Sequence, residues 1–172
     1  MYWSCFSINI TAIAPINPNA VDNLDSVDVL VLAGGHVPTQ NKFMEQLRLR
    51  ERLRDYQGII VAWSAGSMNC ADIVYAGPEL EGEAIDPFYE RWITGLGLTD
   101  INIFPHFQSL KDDHLDGLRL IEDITFADSL GHEIIALNDG SYILIADGKS
   151  TLHGEAYMIK DGRQRQICKD GE

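Results

Sequence analysis

Two short apolar runs, each ending at once in a turn of small residues, leave this chain few folds to adopt. Val27-Asp28-Val29-Leu30-Val31-Leu32 is β-branched and almost continuously apolar, and it stops at Ala33-Gly34-Gly35. Ile59-Ile60-Val61-Ala62 stops at Trp63-Ser64-Ala65-Gly66-Ser67. Runs of this kind are expected of strands buried on both faces of a parallel sheet. Between them, Asn41 to Tyr56 sets Phe43, Leu47, Leu49 and Leu53 among Glu and Arg, the spacing of one amphipathic helix with a charged outer face. Gly58 ends it. Strand, helix, strand is the beginning of an α/β fold, here a mostly parallel sheet flanked by helices.

The same reading extends along the rest of the chain. Small residues after Ser64 lead into a helix through Met68 and Ala71, and residues 76–100, with Gly77-Pro78, Gly82, Asp86-Pro87, Gly95 and Gly97, read as loop. Ile101–Phe104 is a third strand, ending at Pro105-His106. Residues 112–129 have helical spacing at Leu115, Leu118, Ile121 and Ile124. Strands over 133–137 and 141–146 flank Asn138-Asp139-Gly140, a tight hairpin signal. Asp147-Gly148 and Asp161-Gly162 mark further turns of an antiparallel C-terminal meander. Residues 1–26 are poorly defined, mostly loop with one weak strand. At 172 residues the chain is long enough for one domain, 1–172, with a sizeable core.

Three polar residues follow apolar strands: Ser64, His106 and Asp139. Ligands of open α/β sheets bind beyond the carboxyl ends of the strands, so groups placed there converge. A serine hydroxyl needs a base to become a nucleophile. A sharp strand-to-helix turn exposes its oxygen, and Ala65 and Gly66 are small enough to let the chain bend; the amide of Ala65 then faces a developing oxyanion. The plain alternative for Ser64 is a helix N-cap. His106 is the best base, against a structural role at a strand end, and Asp139 would orient it, although Asn-Asp-Gly is ordinary turn chemistry. Gly34-Gly35 offers amides to the same crevice. His36 adjoins that turn, and Glu79, Glu81, Glu83 and Asp86 crowd the loop after the nucleophile helix, where they could bind a substrate's amino group; His36, Glu79 and Glu81 are the three candidates for contacting substrate, and a solvated acidic loop is the plainer reading of the carboxylates. No Lys-Ser/Thr follows the glycines and no GxGxxG is present, which leaves a nucleotide site unsupported.

Charge and composition narrow the partners. A formal net charge of −13 repels phosphate backbones, so nucleic acid is a poor partner. The three cysteines, Cys5, Cys70 and Cys168, are far apart and suggest neither a disulfide framework nor a metal site. No apolar run has the length of a membrane span, and the N-terminus lacks signal-peptide features. A cytoplasmic protein without cofactor is expected.

The order Ala33-Gly34-Gly35, then Ala62-Trp63-Ser64-Ala65-Gly66-Ser67-Met68-Asn69, then Phe104-Pro105-His106-Phe107, then Leu137-Asn138-Asp139-Gly140-Ser141-Tyr142 resembles the dipeptidase E family, serine peptidases related to cyanophycinase. The likeness runs from about Val27 to about Lys160. It implies a class I glutamine amidotransferase-like fold, Ser64 as nucleophile, His106 as base, and the amides of Gly35 and Ala65 as oxyanion hole. Dipeptidase E carries Glu in a Pro-Glu-Gly turn where this chain has Asn138-Asp139-Gly140; Asp serves if the turn sits closer. Family members have a longer part before the glycine turn, so the sheet is expected to lack one or more strands and to expose an edge, which favours self-association. The family's aspartyl preference needs a cation, and neither Lys111 nor Arg119 can be assigned that task from the sequence.

Three readings follow. The first is a serine peptidase acting on small peptides through an acyl-enzyme. The second is an α/β-hydrolase-type esterase using His153 as a late base, against which stands Ala62 where that fold prefers Gly. The third is a catalytically inactive glutamine amidotransferase-like binding domain.

Overall fold

The computed structural model of the protein describes residues 18–169 and Gly171. Cys5 and most of the N-terminal segment in which a weak strand was expected lie outside the described residues. A 3₁₀ helix over Pro18–Ser26 leads into β1 (Val29–Leu32). After the glycine turn come α1 (Val37–Gln46), α2 (Leu49–Arg52) and β2 (Ile59–Ala62). The Trp63-Ser64 turn opens α3 (Ala65–Met68), followed by β3 (Ile73–Tyr75), β4 (Trp92–Thr94) and β5 (Asn102–Phe104). Then come α4 (Phe107–Leu110), β6 (His114–Leu115), β7 (Leu118–Arg119), a π-helical turn over Leu120–Thr125 and α5 (Phe126–Asp128). The remainder is β: β8 (Glu133–Leu137), β9 (Tyr142–Ala146), β10 (Lys149–His153), β11 (Ala156–Lys160) and β12 (Arg163–Cys168).

The fold is α/β, but its sheets are small and mixed rather than mostly parallel. β1 and β2 pair in parallel, Val29 opposite Ile59 and Leu32 opposite Ala62. A four-stranded sheet has the order β12-β11-β8-β5, parallel only between β5 and β8. β3–β4, β6–β7 and β9–β10 are antiparallel pairs. The expected strand pair around Asn138-Asp139-Gly140 does not form a hairpin. β8 is the buried inner strand between β5 and β11, while β9 turns away to pair with β10. The amide of Asn138 donates to the Glu155 carbonyl instead of continuing a ladder to β9.

Two expected helices are also broken. The helix expected over 41–56 is interrupted at Arg48, whose φ of 53° lies in the left-handed region and ends one helix before the next begins. The helix expected over 112–129 is replaced at its start by the β6–β7 hairpin. Asp116 (φ 54°) and Gly117 (φ 83°) both adopt the positive φ of a two-residue hairpin turn. The region read as loop, 76–100, contains β4.

The β1–β2 pair is buried on one face only. Leu30 and Leu32 pack with Val21 and Leu24 from the preceding 3₁₀ helix, Met44 from α1, and Leu47 and Leu53, the residues that follow α1 and α2. The opposite face leaves Val29, Val31, Ile59 and Val61 exposed, which corrects the expectation of strands covered on both sides. Among the described residues no strand pairs with the outer edge of β1. A second core lies under the four-stranded sheet, where Ile134, Ala136 and Ile159 meet Phe104, Phe107, Ile121 and Ile124.

Candidate active site

β2 ends at Ala62, and the chain reverses into α3 within two residues, Trp63 and Ser64. Ser64 carries that reversal with φ 51° and ψ −131°, a conformation sparsely used by residues with a Cβ. Its carbonyl accepts hydrogen bonds from Ser67 N, Met68 N and Ser67 Oγ, which fix the turn from below. The side chain is left half-buried at the opening of α3.

His106 follows β5 in the left-handed region, φ 58° and ψ 28°, and its carbonyl caps α4 by accepting from Ser109 N and Leu110 N. Its ring is aimed back across the strand ends. Nε2 lies 3.2 Å from Ser64 Oγ, and Nδ1 lies 2.6 Å from Asp139 Oδ1. An imidazole whose Nδ1–H donates to the carboxylate keeps Nε2 free to accept the serine proton. The Asp139 turn is tied down on both sides. Its amide donates to Gln108 Oε1 at 2.9 Å, while Asn138 Nδ2 and Ser141 Oγ donate to Glu155. With the turn held there, the aspartate spans the gap to the imidazole. His153, the other candidate base, stacks on Tyr142 at 4.8 Å; the imidazole bonded to Ser64 is that of His106.

The glycine turn abuts the serine. A Cβ on Gly34 would lie 3.1 Å from Ser64 Cβ and 3.4 Å from Oγ, whereas one on Gly35 would meet open space. Ala65 is buried at the first helical position of α3. Asn69 locks α3 to α1: fully buried, it donates through Nδ2 to the Val37 carbonyl and Gln40 Oε1, and accepts at Oδ1 from Asn41 Nδ2. Gln40 in turn donates to the Ala33 carbonyl at 2.6 Å, so both turns at the site share one polar brace.

The three candidates for contacting substrate are placed differently. His36 has Nδ1 at 2.8 Å from Thr39 Oγ1 and Nε2 at 3.0 Å from Glu83 Oε1. Glu79 Oε1 accepts from Val37 N at 3.1 Å. Both are therefore engaged within the protein, strapping the loop after β3 to the residues that follow the glycine turn. Glu81 is exposed and is not drawn into this cluster. Burial pushes the Glu79 carboxyl above its ordinary pKa. Burial also works to raise Glu83, but hydrogen bonds from Glu79 N and Leu80 N and the facing His36 outweigh it and hold the group below the ordinary range. The loop tip is tied to β6–β7 as well, because Asp116 accepts from Gly82 N and Ala84 N.

Gln108, Glu155 and the bracing role of Asn69 escaped the reading of the sequence, whereas Glu83 stood among the acidic-loop candidates and is engaged with His36. Asn69 ends the serine motif and Gln108 directly follows Pro105-His106-Phe107. Among the described residues no group of three His, Cys, Asp or Glu side chains is arranged to hold a metal ion, and no helix is long and apolar enough to cross a membrane.

The family model described as Peptidase family S51 matches residues 3–153, most of the chain. A solved structure, the crystal structure of a peptidase from an acI-B1 Actinobacterium, superposes with a TM-score of 0.59 at 17% identity. The match covers 91% of this chain and 62% of that one, so the likeness is one of fold and the chain spans less than two thirds of that structure. No curated protein matches the chain.

Proposed function

Since the chain belongs to peptidase family S51, we propose that it is a serine peptidase that hydrolyses small peptides through an acyl-enzyme intermediate. The observation that carries this reading is the continuous relay from Ser64 Oγ to His106 Nε2 at 3.2 Å and from His106 Nδ1 to Asp139 Oδ1 at 2.6 Å. A hydroxyl, an imidazole and a carboxylate in that order are what general-base activation of serine requires.

In this reading Ser64 Oγ attacks the carbonyl carbon of the scissile bond while His106 Nε2 takes its proton. Asp139 holds the imidazole in the tautomer that can accept, and stabilises the imidazolium once it forms. The negative charge that develops on the carbonyl oxygen is met by the amides of Gly35 and Ala65, a contribution that is usually among the largest in acyl transfer. His106 then gives its proton to the departing amine. Water, activated by the same imidazole, releases the acyl group and restores Ser64. Cys70 and Cys168 are free thiols, which suits a cytoplasmic enzyme.

A fluorophosphonate probe tests the reading directly. The folded protein is expected to be labelled at Ser64, with labelling lost in Ser64→Ala and His106→Ala and in protein unfolded before exposure. A folded protein that stays unlabelled overturns it.

A further inference from the structure

Beside the relay runs a trench of about 770 Å³, a size suited to a small ligand. Ser64, His106 and Asp139 are among the residues that line it. Its walls come from β2, β5, the end of β8 and β9, and are dominated by apolar side chains such as Leu98, Ile103, Leu137 and Ile143. Trp63, Leu144 and Ile145 also line it and are about half exposed, at 51%, 54% and 48%. Large apolar groups held open to water beside reactive groups gain free energy when a ligand covers them.

The charges around the trench point the same way. Among the described residues no Lys or Arg lines it. Arg119 is committed to Asp123, with contacts of 2.6 and 2.9 Å. Cys70 also lines the trench, and its thiol, pushed up to about 11 by burial, brings no charge. The carboxylate at the rim is Asp139. An acidic ligand side chain would meet that carboxylate and no compensating cation, in a chain of net charge −13.

The trench also has a direction. It is lined by Pro105, His106 and residues 137–146, and by none of the residues 33–37 of the glycine turn. The group that hands a proton to the departing amine therefore borders the trench, while Gly35 and Ala65, the proposed oxyanion donors, do not line it. We propose that the trench receives an apolar side chain from the residue following the scissile bond, so that the favoured substrates are peptides with Leu or a similar residue on the leaving-amine side. This assignment rests on the peptidase reading of Ser64.

The test uses the full chain and two peptide series, Ala-Xaa and Asp-Xaa, with Xaa as Leu, Ala or Asp. In both series kcat/KM is expected to be higher for Leu than for Asp by about tenfold or more, with Ala between them. Leu144→Lys, a change at an exposed wall position, is expected to reduce that Leu-to-Asp ratio at least severalfold by supplying the missing cation. Fluorophosphonate labelling of the same samples separates the two levels of the argument. Unlabelled Ser64 overturns the peptidase reading and this assignment together. Labelled Ser64 without a preference for Leu, or with an unchanged ratio in Leu144→Lys, overturns the trench assignment alone.

Discussion

Gly66 and Leu32 meet backbone to backbone: a Cβ built on Gly66 would lie 2.1 Å from the Leu32 carbonyl oxygen. The start of α3 is thereby pressed against the end of β1, and this contact brings the serine turn and the glycine turn together. Gly66→Ala leaves neither backbone room to yield. It is expected to destabilise the protein by about 3 kcal/mol or more, read as a lower urea midpoint. A midpoint equal to that of the parent protein would show that the two turns are not packed in this way.

Gly34 sits on the other side of the same serine, with a looser fit. A methyl group there would touch Ser64 Cβ and Oγ at 3.1 and 3.4 Å, and the glycine does not occupy a left-handed conformation. Gly34→Ala is expected to fold with nearly the parent thermal midpoint while its Ser64 labelling slows on the order of tenfold, since small displacements of a reacting atom are costly. Unfolding in place of slowing would count against this.

Asp139 can be tested without changing its size. Asp139→Asn removes the charge that orients His106 Nδ1–H and offers the ring a donor in its place. Peptide hydrolysis is expected to fall on the order of 10²-fold or more, with the circular dichroism spectrum unchanged. Full activity in that variant would separate Asp139 from the relay.

Glu83 supplies a dependence on pH. Its folded-state pKa is below the ordinary value despite the opposing effect of burial, so its contribution to stability is complete above the ordinary carboxylate range. That contribution fades as pH falls through the lowered pKa. Glu83→Gln is expected to lower the thermal midpoint near neutral pH, and the gap from the parent should narrow on acidification below about pH 4. Glu79, raised by burial, works in the opposite sense, favouring the fold where it is protonated. A Glu83→Gln gap that widens in acid would refute the assignment.

Much of the site was legible because its residues stand directly after apolar runs. Ile59–Ala62 is a strand with the bounds expected, and Ser64 and His106 follow β2 and β5 as anticipated. The partners of the supporting residues were not legible, even for Glu83 in the acidic loop. Gln108, Glu155 and Glu83 act through contacts 31, 14 to 17 and 47 positions away, to Asp139, the Asn138–Ser141 turn and His36. Nothing local distinguishes them from solvated polar residues.

The misread parts of the fold have local causes. Leu115, Leu118, Ile121 and Ile124 do have helical spacing, yet Asp116-Gly117 inside that run is a hairpin turn, and the turn prevailed over the periodicity. At Asn138-Asp139-Gly140 the error was the reverse. The turn chemistry was recognised, but β8 had a better use between β5 and β11, where Ile134 and Ala136 are wholly buried. The break at Arg48 carries no composition signal, because neither glycine nor proline marks it.

The backbone of Ser64 has a consequence for how this protein can change. Its φ of 51° with a Cβ attached is tension that a glycine at the same place would release. Drift or laboratory selection for heat resistance alone would thus reward loss of the reactive hydroxyl, yielding a sturdier and inert molecule. On the peptidase reading, continued demand for turnover is what keeps an alcohol at this bend.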